Sequence, residues 1–161
     1  MKRFTARIAI CACALLLIVG VLAGCSPGAS SLSAEQQANR SYMSQVNAVM
    51  SELGDELDSF NKAVSRGDVV NMRTQAENAY KVLDKLAAIE PPEDLADVHK
   101  QYVDGTSKLR EALNAYIDLY TEIDSGSFDQ STYNSRIAKV QSLYDEGVST
   151  LQKADEAAAS K

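Results

Sequence analysis

From residue 43 onward, apolar side chains recur at alternating steps of three and four. Met43, Val46, Met50, Leu53, Leu57, Phe60 and Val64 form the first such run. This spacing lays all of them along one stripe of a helix that packs nearly parallel or antiparallel to its neighbours. Ser33 followed by Gln36 has the capping-box pattern that opens a helix just upstream. Were the helix to continue unbroken, Gly67, Asn71, Thr74 and Asn78 would fall on the stripe, and none of them suits a core. The phase instead restarts at Val69, Met72, Ala76, Ala79, Leu83 and Leu86. The spacing therefore predicts a break at Arg66-Gly67-Asp68, with Gly67 closing one helix and Asp68 capping the next. So short a connection folds the second helix back against the first.

Glu90-Pro91-Pro92-Glu93-Asp94 ends the second helix, because a residue before proline avoids helical dihedrals, and it supplies proline and acids to the start of a third. The third seam runs through Leu95, Val98, Tyr102, Gly105, Leu109, Ala112, Tyr116, Leu119 and Ile123, widened by Leu113, Ile117 and Tyr120. Gly105 sits inside this helix at a cost of about 1 kcal/mol relative to alanine, which points to a close helix crossing or a kink. Ser125-Gly126-Ser127 is the last break. Ser127 with Gln130 reads as a second capping box, and Tyr133, Ile137, Val140, Tyr144, Val148 and Leu151 form a fourth face. These elements predict an all-α, up-down antiparallel four-helix bundle over residues 33–161. The other architecture they allow is an elongated three-helix or paired-hairpin arrangement that completes a bundle only as a homodimer.

The first 24 residues differ in kind. They hold Lys2, Arg3 and Arg7 and no acid, and residues 8–23 form an uncharged apolar run ending in small residues. This order is that of a secretory signal. The run is shorter than the roughly 20 residues that span a bilayer. Whether it is cleaved or kept as an uncleaved anchor, the chain beyond it is exported. Leu22-Ala23-Gly24-Cys25 then resembles the lipobox of bacterial lipoproteins. The resemblance implies diacylglyceryl transfer to the Cys25 thiol, cleavage before Cys25, and acylation of the new amino terminus. Two or three acyl chains hold a protein on a membrane where a single chain gives only reversible attachment.

The expected organisation is a signal peptide at 1–24, an anchored cysteine and flexible tether at 25–32, and the bundle at 33–161. The tether, Ser26-Pro27-Gly28-Ala29-Ser30-Ser31, reaches at most about 20 Å when extended. The expected address is the extracytoplasmic face of a bacterial cell membrane. Ser26 after the cysteine, by the same resemblance, also permits outer-membrane sorting in an organism with two membranes. Beyond the lipobox the chain has a general likeness to small helical lipoproteins of bacteria, in which a Pro-Pro turn such as Glu90-Pro91-Pro92 precedes a helix. That likeness carries no activity.

From Cys25 onward there are 13 basic residues against 22 acidic ones, a net charge of −9. Such a balance argues against nucleic acid, whose phosphates need a basic face, so attachment to the membrane is expected through lipid on Cys25 rather than through charge. Catalytic residues, metals and cofactors are not expected. His99 is the only imidazole, a ferritin-like site would need Glu at position 96 where Ala96 stands, and His99 falls beside the seam where a boundary histidine is the plain expectation. The acids around Glu52, Asp55, Glu56 and Asp58, and around Glu90, Glu93, Asp94 and Asp97, read as solvated faces and helix starts. Met43, Met50 and Met72 occupy seam positions as core fillers rather than copper ligands. The composition thus favours a non-enzymatic binding or interaction module with an envelope protein as partner. The alternative is a small-ligand carrier. Tyr102, Tyr116, Tyr120, Tyr133 and Tyr144 lie on or beside the third and fourth seams, where they either line a ligand groove or fill the core with hydroxyls at its wet edge.

Overall fold

A computed structural model describes residues 32–161, and among them the secondary structure is helical without strands: α1 (Ala34–Arg66), α2 (Val69–Ala87), α3 (Ala96–Ser125) and α4 (Tyr133–Ala159). The Ser33 hydroxyl accepts from the Gln36 amide while the Gln36 side chain accepts from the Ser33 amide, so the capping box at the start of α1 is complete. At the other end Gly67 adopts a left-handed conformation, φ 66°. Its amide and that of Asp68 cover the carbonyls of Ala63 and Val64, and the Asp68 carboxylate caps α2 by accepting from Asn71. Gly126, φ 74°, closes α3 in the same way. Left-handed backbone favours glycine because no Cβ meets the following carbonyl.

Two details differ from the sequence pattern. A single 3-10 turn at Glu93–Leu95 separates Pro92 from α3. Ser127 does not cap α4, because its amide is spent on the Glu122 carbonyl as part of the α3 terminus. Asp129 caps the 3-10 turn Gln130–Thr132 instead, accepting from Ser131, and α4 begins only at Tyr133.

Polar and aromatic pairs fix the directions. Tyr42 meets His99 and Phe60 meets Tyr116, so α1 and α3 run parallel. Glu52 pairs with Lys85, and Tyr80 donates to Asn114 while Arg73 donates to Thr121, so α2 runs opposite to both. Tyr102 donates to Asp155 while Arg136 pairs with Glu122, which turns α4 antiparallel to α3. The topology is the expected up-down-up-down bundle. Its backbones approach closely in the pairs α1–α2, α2–α3 and α3–α4, whereas α1 and α4 scarcely meet.

The core is built mainly by α1, α2 and α3, with Met72, Ala76, Ala79 and Leu86 of α2 and Ala63 of α1 fully enclosed. The inward face of α4 differs from the expected one. Tyr133, Ile137, Val140, Tyr144 and Val148 are only half-buried, and the buried positions are Gly147, Leu151 and Ala154. The cause is a direct backbone contact. A Cβ added at Gly147 would stand 3.0 Å from the Gly105 carbonyl oxygen and 2.9 Å from Leu109, and one at Gly105 would stand 2.9 Å from Leu151.

Alanine normally stabilises a helix interior over glycine by about 0.5–1 kcal/mol. At Gly105 or Gly147 the sign reverses. Gly105→Ala and Gly147→Ala are each expected to cost about 1–3 kcal/mol through overpacking, read as a fall of several degrees in melting temperature by circular dichroism. Melting at or above the wild-type temperature would contradict the contact.

Candidate functional site

Two polar and aromatic groups stand out in the bundle, one near each end. In the first, α1 contributes Tyr42, 1% exposed, and α3 contributes Tyr102, 1% exposed. The Tyr42 hydroxyl lies 3.0 Å from His99 Nδ1, with the two rings edge to face at 5.9 Å. The Tyr102 hydroxyl donates to the Asp155 carboxylate at 2.5 Å. Four side chains from three helices thus form a layer in which each phenol has a partner, as buried hydroxyls require. Burial pushes the Tyr42 phenol up to about 12. The Tyr102 phenol is raised further, first by burial and then by its hydrogen bond to Asp155. His99 occupies the boundary position expected of it, half-buried beside the seam.

Towards the other end, Tyr116 and Tyr120 stack at 5.3 Å between centroids, and Phe60 of α1 meets Tyr116 edge to face at 5.9 Å. Tyr144 packs against the same core from α4. Of the five tyrosines proposed to line one groove, the structure therefore gathers Tyr116 and Tyr120 and sets Tyr144 on the facing helix. Tyr102 belongs to the buried layer. Tyr133 stands apart, edge to face with Phe128 in the α3–α4 connection. The separation follows from helix rise: Asp155, the partner of Tyr102, comes 22 residues after Tyr133 in α4, about 33 Å at 1.5 Å per residue. A shallow depression of about 450 Å³ lies on the outer α3–α4 face, among Asp104, Lys108, Asp145 and Lys153. None of the five tyrosines lines it.

Two members of the buried layer escaped the heptad pattern. Tyr42 directly precedes seam residue Met43 and is the more buried of the two; its step of four to Val46 is the signal that identifies it. Asp155 reads as a surface acid, and only its step of four from Leu151 places it at the interface.

The remaining acids behave as solvated groups. Glu52 pairs with Lys85 and Asp58 with Lys62 at exposed positions, where such pairs contribute little. Glu35 and Asp94 approach across the start of α1. A hydrogen bond between the two carboxyls, followed by their mutual repulsion, raises Glu35 above the usual carboxylate range. Among the described residues no group of three His, Cys, Asp or Glu is arranged to hold a metal ion, and no helix is long and apolar enough to cross a membrane. Leu22, Ala23, Gly24 and Cys25 lie outside the described residues. Comparison of the chain with protein-family models, with curated proteins and with solved structures finds no match in any of the three.

The raised phenols predict the alkaline behaviour. A folded chain that holds these protons to higher pH than the unfolded chain gains stability that is complete below about pH 10 and is lost as pH rises towards and past 12. In a titration followed by phenolate absorbance, Tyr42 and Tyr102 should ionise late, together with loss of helix. The late phase should disappear in the Tyr42→Phe, Tyr102→Phe double variant. Ionisation of all seven tyrosines in one step near pH 10 with the helices intact would contradict the buried layer.

Proposed function

We propose that the chain is a lipid-anchored, extracytoplasmic lipoprotein of the bacterial cell envelope whose helical bundle serves as a non-enzymatic protein-interaction module. The observation that carries this reading is Leu22-Ala23-Gly24-Cys25 at the end of a basic-then-apolar leader. The position of the bundle is consistent with it. Eight residues after Cys25, Ser33 caps α1, so a lipid on Cys25 would hold the bundle by the end that carries Ser33, the Pro91-Pro92 segment and the α4 terminus. The turns at Gly67 and Gly126 would then point away from the membrane. The lower end, with Glu35, Glu90, Glu93, Asp94 and Asp97, gains nothing from anionic lipid, so retention at the surface falls to the acyl chains.

A second reading, a small-ligand carrier, is favoured by the stacked Tyr116 and Tyr120 beside the side of the bundle where α1 and α4 separate. The two readings part in a thermal-shift assay. A carrier gains about 2.7 kcal/mol at a ligand concentration 100 times Kd, whereas the interaction module is unmoved by envelope metabolites and is captured with a protein by crosslinking in intact membranes.

The anchor has its own test. Cells fed an alkynyl fatty acid should label the wild-type protein, and Cys25→Ala should lose the label and leave the membrane fraction. Equal labelling of the variant would overturn the anchor.

A further inference from the structure

The side of the bundle between α1 and α4 is walled by two helices whose backbones scarcely meet. Rotation of 100° per residue assigns the walls. On α1, away from Glu52 and its α2 partner Lys85, the wall is Met43, Asn47, Met50, Gly54 and Asn61. On α4, towards the side that brings Asp155 to Tyr102, it is Ile137, Gln141, Tyr144 and Val148. The one charge that shares these walls is Asp155, at the end of the α4 set and engaged by the Tyr102 hydroxyl, in a segment with 22 acids and 13 bases; Asp145, which accepts from Gln141, lies on the outer edge of the α4 wall. Arg40 and Asp58 fall on the outer edge of the α1 wall. The strip is half-buried rather than enclosed, with Met43, Met50, Ile137, Tyr144 and Val148 all partly open to solvent.

Gly54 lies at the middle of the α1 wall. It is exposed in the middle of α1, and a Cβ built on it meets nothing within 4 Å. Gly67 and Gly126 are required by left-handed turns, and Gly105 and Gly147 by their contact with each other. Nothing within a single chain calls for glycine at position 54, where it costs about 0.5–1 kcal/mol relative to alanine. A missing side chain at the centre of a strip with its one acid at the far end admits a helix from outside.

We propose that a second copy of this chain covers the strip in a two-fold dimer, with α1 of each copy against α4 of the other. This deepens the interaction-module reading by naming its partner. Charge favours a second copy: a chain of net −9 repels itself through faces that carry free acid and meets itself through one whose only acid, Asp155, is engaged by Tyr102 at the end of the strip, and interface centres are depleted in charge. Symmetry agrees, because a two-fold axis along the bundle keeps both amino termini at one end. The alternation of directions also continues, since α1 and α4 are antiparallel. The heights match as well. Gly54 lies 12 residues beyond Tyr42 and Tyr144 lies 11 before Asp155, about 18 Å and 16 Å from the buried layer. The partner's Tyr144 therefore arrives over Gly54 and fills the space its side chain leaves.

Asn47→Cys combined with Gln152→Cys places thiols on the two edges of the strip at similar height, both at exposed positions. Treatment of membranes with a short bis-maleimide should yield a covalent dimer. Adding Gly54→Glu, for which the structure has open space, should reduce the dimer at least about tenfold, because it sets two like charges inside the interface, while the helical circular dichroism stays unchanged. A crosslink found only within one chain, or a dimer that persists with Gly54→Glu, overturns the proposal. Parent protein without the new cysteines separates the two readings. If it crosslinks by itself, Cys25 is free and the lipid anchor fails, and the same substitutions in a Cys25→Ser background then decide the dimer.

Discussion

At Gly105 and Gly147 the backbones of α3 and α4 touch with no side chain between them, and the placement of α4 follows from that contact. Leu109 and Leu151 lie against the opposite glycines, so the two helices interlock along one line. α3 is shared between α2 and α4, whereas α4 makes its close approach to α3 alone. The half-buried state of Tyr133, Ile137, Val140 and Tyr144, and the gap between α4 and α1, accompany this one approach.

The rest of the bundle compensates where α4 does not contribute. Alanines at 63, 76 and 79 are fully enclosed, so α1 and α2 also come close, and Val82, Leu83, Leu86, Leu95 and Val98 fill the volume between them and α3. Near the amino-terminal end, where α1 and α4 scarcely meet, the linkage is polar. Tyr42 reaches His99 and Tyr102 reaches Asp155, tying both outer helices to α3 through hydroxyl groups. Nearer the Gly126 end, aromatic rings take over the same task, with Phe60 on Tyr116 and Tyr116 on Tyr120.

Much of this was legible in the residues. The restart of the apolar phase at Val69 located the first turn, and Ser33, Gly67, Asp68 and the Pro91-Pro92 pair marked ends that the structure keeps, because caps and prolines act within a few residues of themselves. Gly105 announced a close crossing. Its counterpart was hidden, since Gly147 adds nothing to an apolar pattern and yet forms the centre of the buried face of α4. Ser127 showed the limit of local motifs: the same residue can open one helix or finish another, and the Glu122 carbonyl decides which. The tyrosines were counted correctly but not placed. Seam position says that a ring points inward and not at which height its partner stands, so the pattern does not separate Tyr102 and Tyr133, at opposite ends of the bundle, from Tyr116, Tyr120 and Tyr144.

A glycine contact inside the bundle is thus linked to a charge-poor strip on its outside, with Gly54 at the middle of that strip. Isotope-filtered nuclear Overhauser spectroscopy on an equal mixture of labelled and unlabelled protein in micelles tests the link most directly. Cross-peaks are expected between the Gly54 α-protons of one copy and the Tyr144 and Val148 side chains of the other. Gly54 α-protons with contacts only inside their own chain would contradict it.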